Sequence, residues 1–366
     1  MVKTLLEQLE EHINVDCDNL DPVFIKSLPI KCHDQTSNQR IVHDAIVAPE
    51  NAHILEATVK DFKGQPWDDI YVNTLARIAA TVAPVISGTL LSQTSPSRAY
   101  DKEYILFDAR RRHKAYMAAG IPADRIAIKI ATTTAGVQAA KILSGEGIKT
   151  LGTALFSVPQ ALAASQAGMF AISLYYNEPN AHTDAAIWPD VADPANEHPM
   201  SARHLLIRRA YGILKERTGK EQPQMKTASY ASPREVMTAA ALGADHVTIG
   251  RPLLEDLAFS DKMPKYQKGF WKVPVSEQAK GAGIAWEDWT PPVPNETADR
   301  IAKVLAQTDA SQLHSLDEDY LADGVVDRYN NEDEMTRTKL EEGLKRFSFW
   351  ENETKKHIEE VQAKFA

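Results

Sequence analysis

The sequence predicts an α/β fold, a (β/α)8 TIM barrel with extra C-terminal helices, on three observations. Eight short apolar runs bounded by turn residues recur along the first 250 residues. Helical patterns lie between most of them, which calls for parallel strands with helices packed outside the sheet. The stretch "INVDCDNLDP" around the first run contains no glycine, whereas a doubly wound sheet that binds a nucleotide usually carries a glycine-rich phosphate loop there.

The elements follow in chain order. "MVKTLLEQLEEHINV" reads as an acidic amphipathic helix running into a strand. It lacks the basic segment and long apolar core of a signal peptide. Strands are expected at 13–17 ("INVDC"), 29–33 ("PIKCH"), 84–91 ("PVISGTLL"), 125–131 ("RIAIKIA"), 150–156 ("TLGTALF"), 169–176 ("MFAISLYY"), 224–230 ("QMKTASY") and 245–250 ("DHVTIG"). Helical patterns at 97–120, 134–147 and 158–168 each end on glycine, a common helix stop. The barrel is expected over 1–257, an irregular loop over 258–295, and helices packing on the barrel over 296–366. The loop is rich in Pro and Gly, but Tyr266, Phe270, Trp271, Trp286 and Trp289 argue for order. Leu340, Leu344, Phe347, Trp350, Ile358, Val361 and Phe365 recur at helical spacing, a stripe for the barrel or a partner subunit.

Composition narrows the function. Hydrophobic residues make up 43% of 366, enough for a large core, and the formal charge is −9. No long basic block exists, which argues against nucleic acid. "RRRHK", 110–114, lies in a helical pattern and reads as a solvated face. No run of about 18 apolar residues exists to cross a membrane. The two cysteines, Cys17 and Cys32, read as reduced buried thiols, and a cytoplasmic location is expected. No histidine pair has a metal-ligand spacing with a nearby acid, so no metal or other cofactor is expected. His33 and His182 are the histidines best placed for proton transfer.

The chemistry centres on "RIAIKIATTT". Ile126, Ile128 and Ile130 fall on one face of the strand, and Ala127, Lys129 and Ala131 on the other. An amine on the small-residue face of a buried strand is unfavourable without a task. Poor solvation lowers its pKa, and a neutral amine condenses with a carbonyl to a Schiff base. Polar residues near other strand ends are candidate partners: Asp16 in the first strand, Thr36 and Asn38 after the second, Thr89 and Gln93 at the third, Thr153 in the fifth, Ser173 and Tyr175 in the sixth, Ser229 in the seventh.

"RIAIKIATTTAGVQAAKILSGEGI" resembles the Schiff-base strand and following helix of the transaldolase family. "NVDCDNLD", "DQTSNQRIV" and "NEDEMTRTKLEEGLKRF" resemble its first-strand Asp segment, its Thr-Thr-Asn-Pro segment and its closing helix. The resemblance implies a class I aldolase that makes or breaks a C–C bond through a lysine enamine. Lys129 matches the imine-forming lysine, Asp16 the acid/base carboxylate and Asn38 the amide on donor hydroxyls. Thr153 and Ser173 match further pocket groups. It also implies a small carbonyl substrate and at least a homodimer.

Several positions depart from the family pattern. Thr89 is read at the place of the third-strand Glu that works on the catalytic water; a threonine holds water but is no base near neutral pH. Gln93 is the nearest other polar group. "TLGTA" and Tyr175 look more like the smaller fructose-6-phosphate aldolases, in which Gln and Tyr hold the water and the ketone is released. Glu178 and Ala231 stand where the family carries phosphate-binding arginines. A carboxylate about 5 Å from a phosphate costs about 3 kcal/mol per charge pair at an effective dielectric near 20. Asp184, Asp190, Asp193 and Glu197 are expected near the same mouth, and Arg203, Arg208 or Arg234 are the available rescuers. This points to a non-phosphorylated or otherwise atypical substrate. The alternatives are an ordinary pentose-phosphate transaldolase, an imine-mediated non-aldol condensation, and a silent barrel acting as a binding module with Lys129 ion-paired.

Overall fold

The computed structural model describes residues 3–184, 186–191, 193–259 and 314–365. Seven parallel strands form one curled sheet: β1 (Asn14–Asp18), β2 (Leu90–Gln93), β3 (Ile126–Ala131), β4 (Lys149–Leu155), β5 (Ala171–Leu174), β6 (Gln224–Thr227) and β7 (His246–Gly250), ordered β1-β7-β6-β5-β4-β3-β2. The gap between β1 and β2 is closed by Gln35, which bridges Cys17 and Leu90. Its flanks carry the ladder: Cys17 N–H donates to Asp34 O at 2.9 Å, and Leu91 N–H to Gln35 O at 2.9 Å. The ring has eight positions, and the fold is a (β/α)8 barrel.

Two expected strands shift. Residues 29–33 are not a strand; the second barrel position is the short passage around Gln35. The third strand begins at Leu90, because Ala83–Val85 forms a single 3-10 turn around Pro84. The chain is also pinched at Gly88, where a Cβ would stand 2.1 Å from Asp34 Oδ1.

Helices follow the strands and seal the outer core. The helix Thr134–Gly145 after β3 is capped by Thr133, whose hydroxyl accepts the Gly136 N–H. The helix Val158–Ala167 after β4 carries a capping box between Ser157 and Gln160. The last helix, Glu334–Ala363, buries Leu340, Leu344, Phe347, Ile358 and Val361. It packs against the helices Gln39–Val47 and Trp67–Val82. Its Glu351 accepts the Ser95 hydroxyl at 2.8 Å, which ties it to the loop after β2. Most of the expected irregular loop, and the helical pattern at 296–308, lie outside the described residues. Among the described residues, no helix is long and apolar enough to cross a membrane.

Candidate active site

Strand alternation builds the site. Ile126, Ile128 and Ile130 enter the large core between sheet and helices. Ala127 points the other way and meets Leu91, Leu151 and Ala171 in a separate apolar cluster inside the ring. Lys129 shares the face of Ala127 and reaches a cavity of about 910 Å³. Its side chain is 4% exposed, and its Nζ donates to Thr36 Oγ1 at 2.9 Å. Burial pushes its pKa down, with the Asp18 carboxylate acting the other way. Among the described residues, no carboxylate lies within ion-pair distance of it.

Asp16 and Asp18 divide. Asp16 does not line the cavity. Its Oδ1 accepts the Asp34 N–H at 3.0 Å and meets His246 Nδ1 at 2.9 Å. Lys226 Nζ sits 3.5 Å from Asp16 Oδ2 and 2.9 Å from Asp34 Oδ2. Burial alone would raise the Asp16 pKa; Lys226, His246 and the Asp34 N–H outweigh it and hold it below the usual carboxylate range. Asp18 does line the cavity. Burial raises its pKa to about 6, with Lys129 opposing, and its Oδ1 accepts no hydrogen bond. The sequence reading placed the carboxylate at Asp16. Two aspartates at i and i+2 share a strand face, and the structure puts the one nearer the strand's C-terminal end, Asp18, at the cavity.

The remaining expected residues spread over three levels. Asn38, Tyr175 and Ser229 line the cavity with Lys129. Asn38 also caps the helix Gln39–Val47, its side chain accepting the Arg40 and Ile41 N–H groups. Ser229 has φ 66°, which is uncommon for a residue with a Cβ, and its Oγ meets His182 Nε2 at 3.1 Å. Thr36, Gln93, Thr153 and Ser173 are buried and do not line the cavity. Thr153 Oγ1 donates to the Tyr175 hydroxyl at 3.2 Å. Gln93 stands in register with Lys129, and its Oε1 has no partner. Thr89 lies at the floor instead, its N–H donating to Asp34 Oδ1 at 2.7 Å. The six-residue delay in the strand's start takes it away from the cavity. His33 is also elsewhere, 2.7 Å from Glu10.

The mouth differs from the acidic one expected. Asp184, Asp190, Asp193, Glu197 and Glu178 do not line the cavity, and neither do Arg203, Arg208 or Arg234. Glu178 is half-buried and acts on Lys339, whose pKa burial lowers to about 8 against the opposing Glu178 charge. The lining arginines are Arg40, Arg251 and Arg346. Arg346 comes from the stripe-bearing last helix, which the sequence reading treated as packing alone.

Comparison with known proteins gives three results. The family model described as Transaldolase/Fructose-6-phosphate aldolase matches residues 15–358. A transaldolase of Actinobacillus pleuropneumoniae serotype 3 (strain JL03) is 30% identical over 263 residues, covering 70% of this chain and 80% of that protein. Among solved structures, an IMP dehydrogenase/GMP reductase-like protein from Corynebacterium glutamicum overlaps with a TM-score of 0.42 at 13% identity, over 66% of this chain and 64% of that one.

Proposed function

The chain belongs to the transaldolase/fructose-6-phosphate aldolase family, a family of Schiff-base aldolase-type enzymes, and from that membership we propose that Lys129 is its imine-forming nucleophile and Asp18 its acid/base carboxylate. Neutral Nζ adds to a ketone carbon, and loss of water leaves a protonated imine that acts as electron sink. Asp18 takes the proton from the hydroxyl beyond the scissile bond. The C–C bond breaks, an aldehyde leaves, and the electron pair remains as an enamine on Lys129. The enamine then attacks a second aldehyde, or is protonated and hydrolysed. Asn38, Thr36, Ser173 and Ser229 are assigned to the substrate's hydroxyls, and Gln93, Thr153 and Tyr175 to the water. Gln93 takes the place first read for Thr89. No cofactor enters this scheme.

The observation that carries the proposal is the buried, unpaired Lys129 with lowered pKa in a cavity it shares with Asp18. A silent barrel would keep this lysine in an ion pair. Borohydride reduction in the presence of dihydroxyacetone or fructose 6-phosphate, read by peptide mass spectrometry, should label Lys129 and leave Lys129→Ala unlabelled. Label on another lysine, or none with any ketone, would remove the proposal.

The finer substrate reading rests on the far end of the cavity. The lack of a guanidinium at positions 178 and 231, of which only Ala231 lines the cavity, favours a non-phosphorylated or atypical carbonyl compound. Arg40 and Arg346 favour the second reading, transfer of a dihydroxyacetone unit between sugar phosphates. A coupled assay with fructose 6-phosphate and erythrose 4-phosphate separates the two. The proposal includes a cytoplasmic homodimer or higher oligomer, and the division of the chain into barrel, connecting loop and closing helices.

A further inference from the structure

The wall of the Lys129 cavity made by the loops after β5 and β6 is built around an aromatic ring that the aldol scheme leaves without a role. Trp188 lines the cavity, and its Nε1 donates to Glu235 Oε1 at 2.7 Å. Glu235 is 2% exposed, in the first turn of the helix Pro233–Ala241. Its other oxygen accepts from Asn177 Nδ2 and from the Ala231 N–H, each at 2.7 Å. These donors are all neutral, and against them burial raises the Glu235 pKa. A buried carboxylate held by neutral donors is costly to keep. What this one holds is the cavity wall: the Trp188 ring directly, and Ser229 through Asn177. Asn177 donates from its backbone N and from Nδ2 to Ser229 O, both at 3.0 Å, where the chain takes its positive φ.

The last helix braces the segment that leads to Trp188. Arg346 donates from Nη1 to Asn180 Oδ1 at 2.7 Å and to Thr183 Oγ1 at 3.2 Å. Between them, His182 meets Ser229 Oγ at 3.1 Å. Burial, and then the Arg346 charge, hold the His182 pKa below its usual value, so its ring is neutral near neutral pH. Pro179, Ala181 and Ala231 complete the wall.

This wall suits an uncharged group. The Ala231 N–H, a donor that an anion could use, is already taken by Glu235, whose charge stands directly behind it. An anion seated there meets repulsion. The indole, the proline ring and two methyl groups offer apolar burial and ring contact instead. Room is not limiting: at about 910 Å³ the cavity lies near the top of the roughly 300–1,000 Å³ typical of pockets that enclose drug-sized ligands.

We propose that Trp188, held by Glu235, is a specificity-determining residue, and that with Pro179, Ala181 and Ala231 it forms an acceptor subsite for an aldehyde with an uncharged apolar tail. The enamine carbon bonds to the aldehyde carbon, the aldehyde oxygen takes the proton from Asp18, and water then releases the product from Lys129. That step rests on the Lys129 reading; the apolar wall does not.

The test separates the two. With dihydroxyacetone as donor, kcat/KM for 3-phenylpropanal should exceed that for glyceraldehyde 3-phosphate about tenfold or more. Trp188→Ala should lower kcat/KM for 3-phenylpropanal about tenfold, through KM, and leave glycolaldehyde, which has no tail to seat, within about twofold. Trp188→Phe, which keeps a ring, should restore most of the loss. Dihydroxyacetone should label Lys129 equally in all three proteins, which reports an intact donor half. Binding is read without chemistry by titration calorimetry with 3-phenylpropan-1-ol, which Trp188→Ala should weaken about tenfold. Absence of alcohol binding, equal binding by Trp188→Ala, an equal loss with glycolaldehyde, or preference for glyceraldehyde 3-phosphate would overturn the subsite. Trp188-dependent alcohol binding without any ketone label on Lys129 would support the subsite and sink the Schiff-base reading alone.

Discussion

Replacing Asp18 by Asn should stabilise the unliganded protein at neutral pH while disabling it. Burial raises the Asp18 pKa from 3.8 to about 6. For an acid shifted in this direction, ionisation is penalised in the folded state. Stability therefore falls as pH rises from near 4 to near 6, and the full penalty applies above that. A shift of about 2 pKa units corresponds to about 3 kcal/mol. The carboxylate opens on the cavity, where water reaches it, so the recoverable part is about 1–3 kcal/mol. Asn keeps the shape and never ionises. The stability difference between variant and wild type should thus be close to zero at pH 4 and grow to its full value by pH 7.5. A chain of this length has an unfolding entropy of about 0.8 kcal/mol/K, so the gain in Tm is about 1–4 °C. Melts of both proteins at matched pH cancel every titration they share. Turnover should fall about 10²- to 10⁴-fold, as for loss of a general acid or base. A variant less stable than wild type at pH 7.5, or a difference that ignores pH, would refute the reasoning.

Two further substitutions probe the levels around the site. Lys226→Met removes the ammonium between Asp34 and Asp16, which leaves the buried Asp34 carboxylate without its cation and Asp16 with His246 alone. It should cost about 3–5 kcal/mol, seen as a lower Tm that partly recovers as the pH falls and the carboxylates protonate; an unchanged Tm would mean the floor is not held by this charge. Tyr175→Phe deletes the phenol that Thr153 donates to. Imine formation should persist while the water-dependent release step slows about 10- to 100-fold, resolved by comparing trapping with steady-state turnover; equal rates would take Tyr175 off the water.

The barrel was legible because its strands are short branched-aliphatic runs and several of its helices end on glycine, two signals that depend on local sequence alone. Lys129 was legible for a related reason: a charge on a strand's small-residue face conflicts with burial unless the fold uses it. Register was harder. Ile86 is buried like a strand residue, yet its segment is bent by Pro84 and pinched at Gly88. The strand therefore starts late, and Thr89 falls to the floor while Gln93 rises to the level of Lys129. The segment 29–33 alternates like a strand, but only its last residue, His33, and the residues just after it bond to both neighbours. Arg40 and Arg346 carried no local signal, since only the packing of the last helix on Gln39–Val47 brings them to one cavity.

The two aspartates of β1 show why position along one strand face decides chemistry. They stand two positions apart, a rise of about 6.6 Å. At the lower level each charge is matched: Lys226 lies against Asp34 and Asp16, and His246 against Asp16. Such a level holds its ionisation and cannot exchange protons cheaply. At the upper level Asp18 and Lys129 share a cavity without an ion pair, and burial drives both toward neutrality, the acid upward and the amine downward. Lys129 is the cation that acts against the rise at Asp18; Lys226 has no part in it. The apolar ring of Leu91, Ala127, Leu151 and Ala171 occupies the interior next to that lower network. A floor ammonium that reached Asp18 would pull its pKa down and leave a carboxylate too weakly basic to take a substrate proton near neutral pH. The saturated lower level is therefore a condition for the unsaturated upper one: charges satisfied at the floor leave the acid and the amine above it without a cation or a carboxylate that fixes their ionisation.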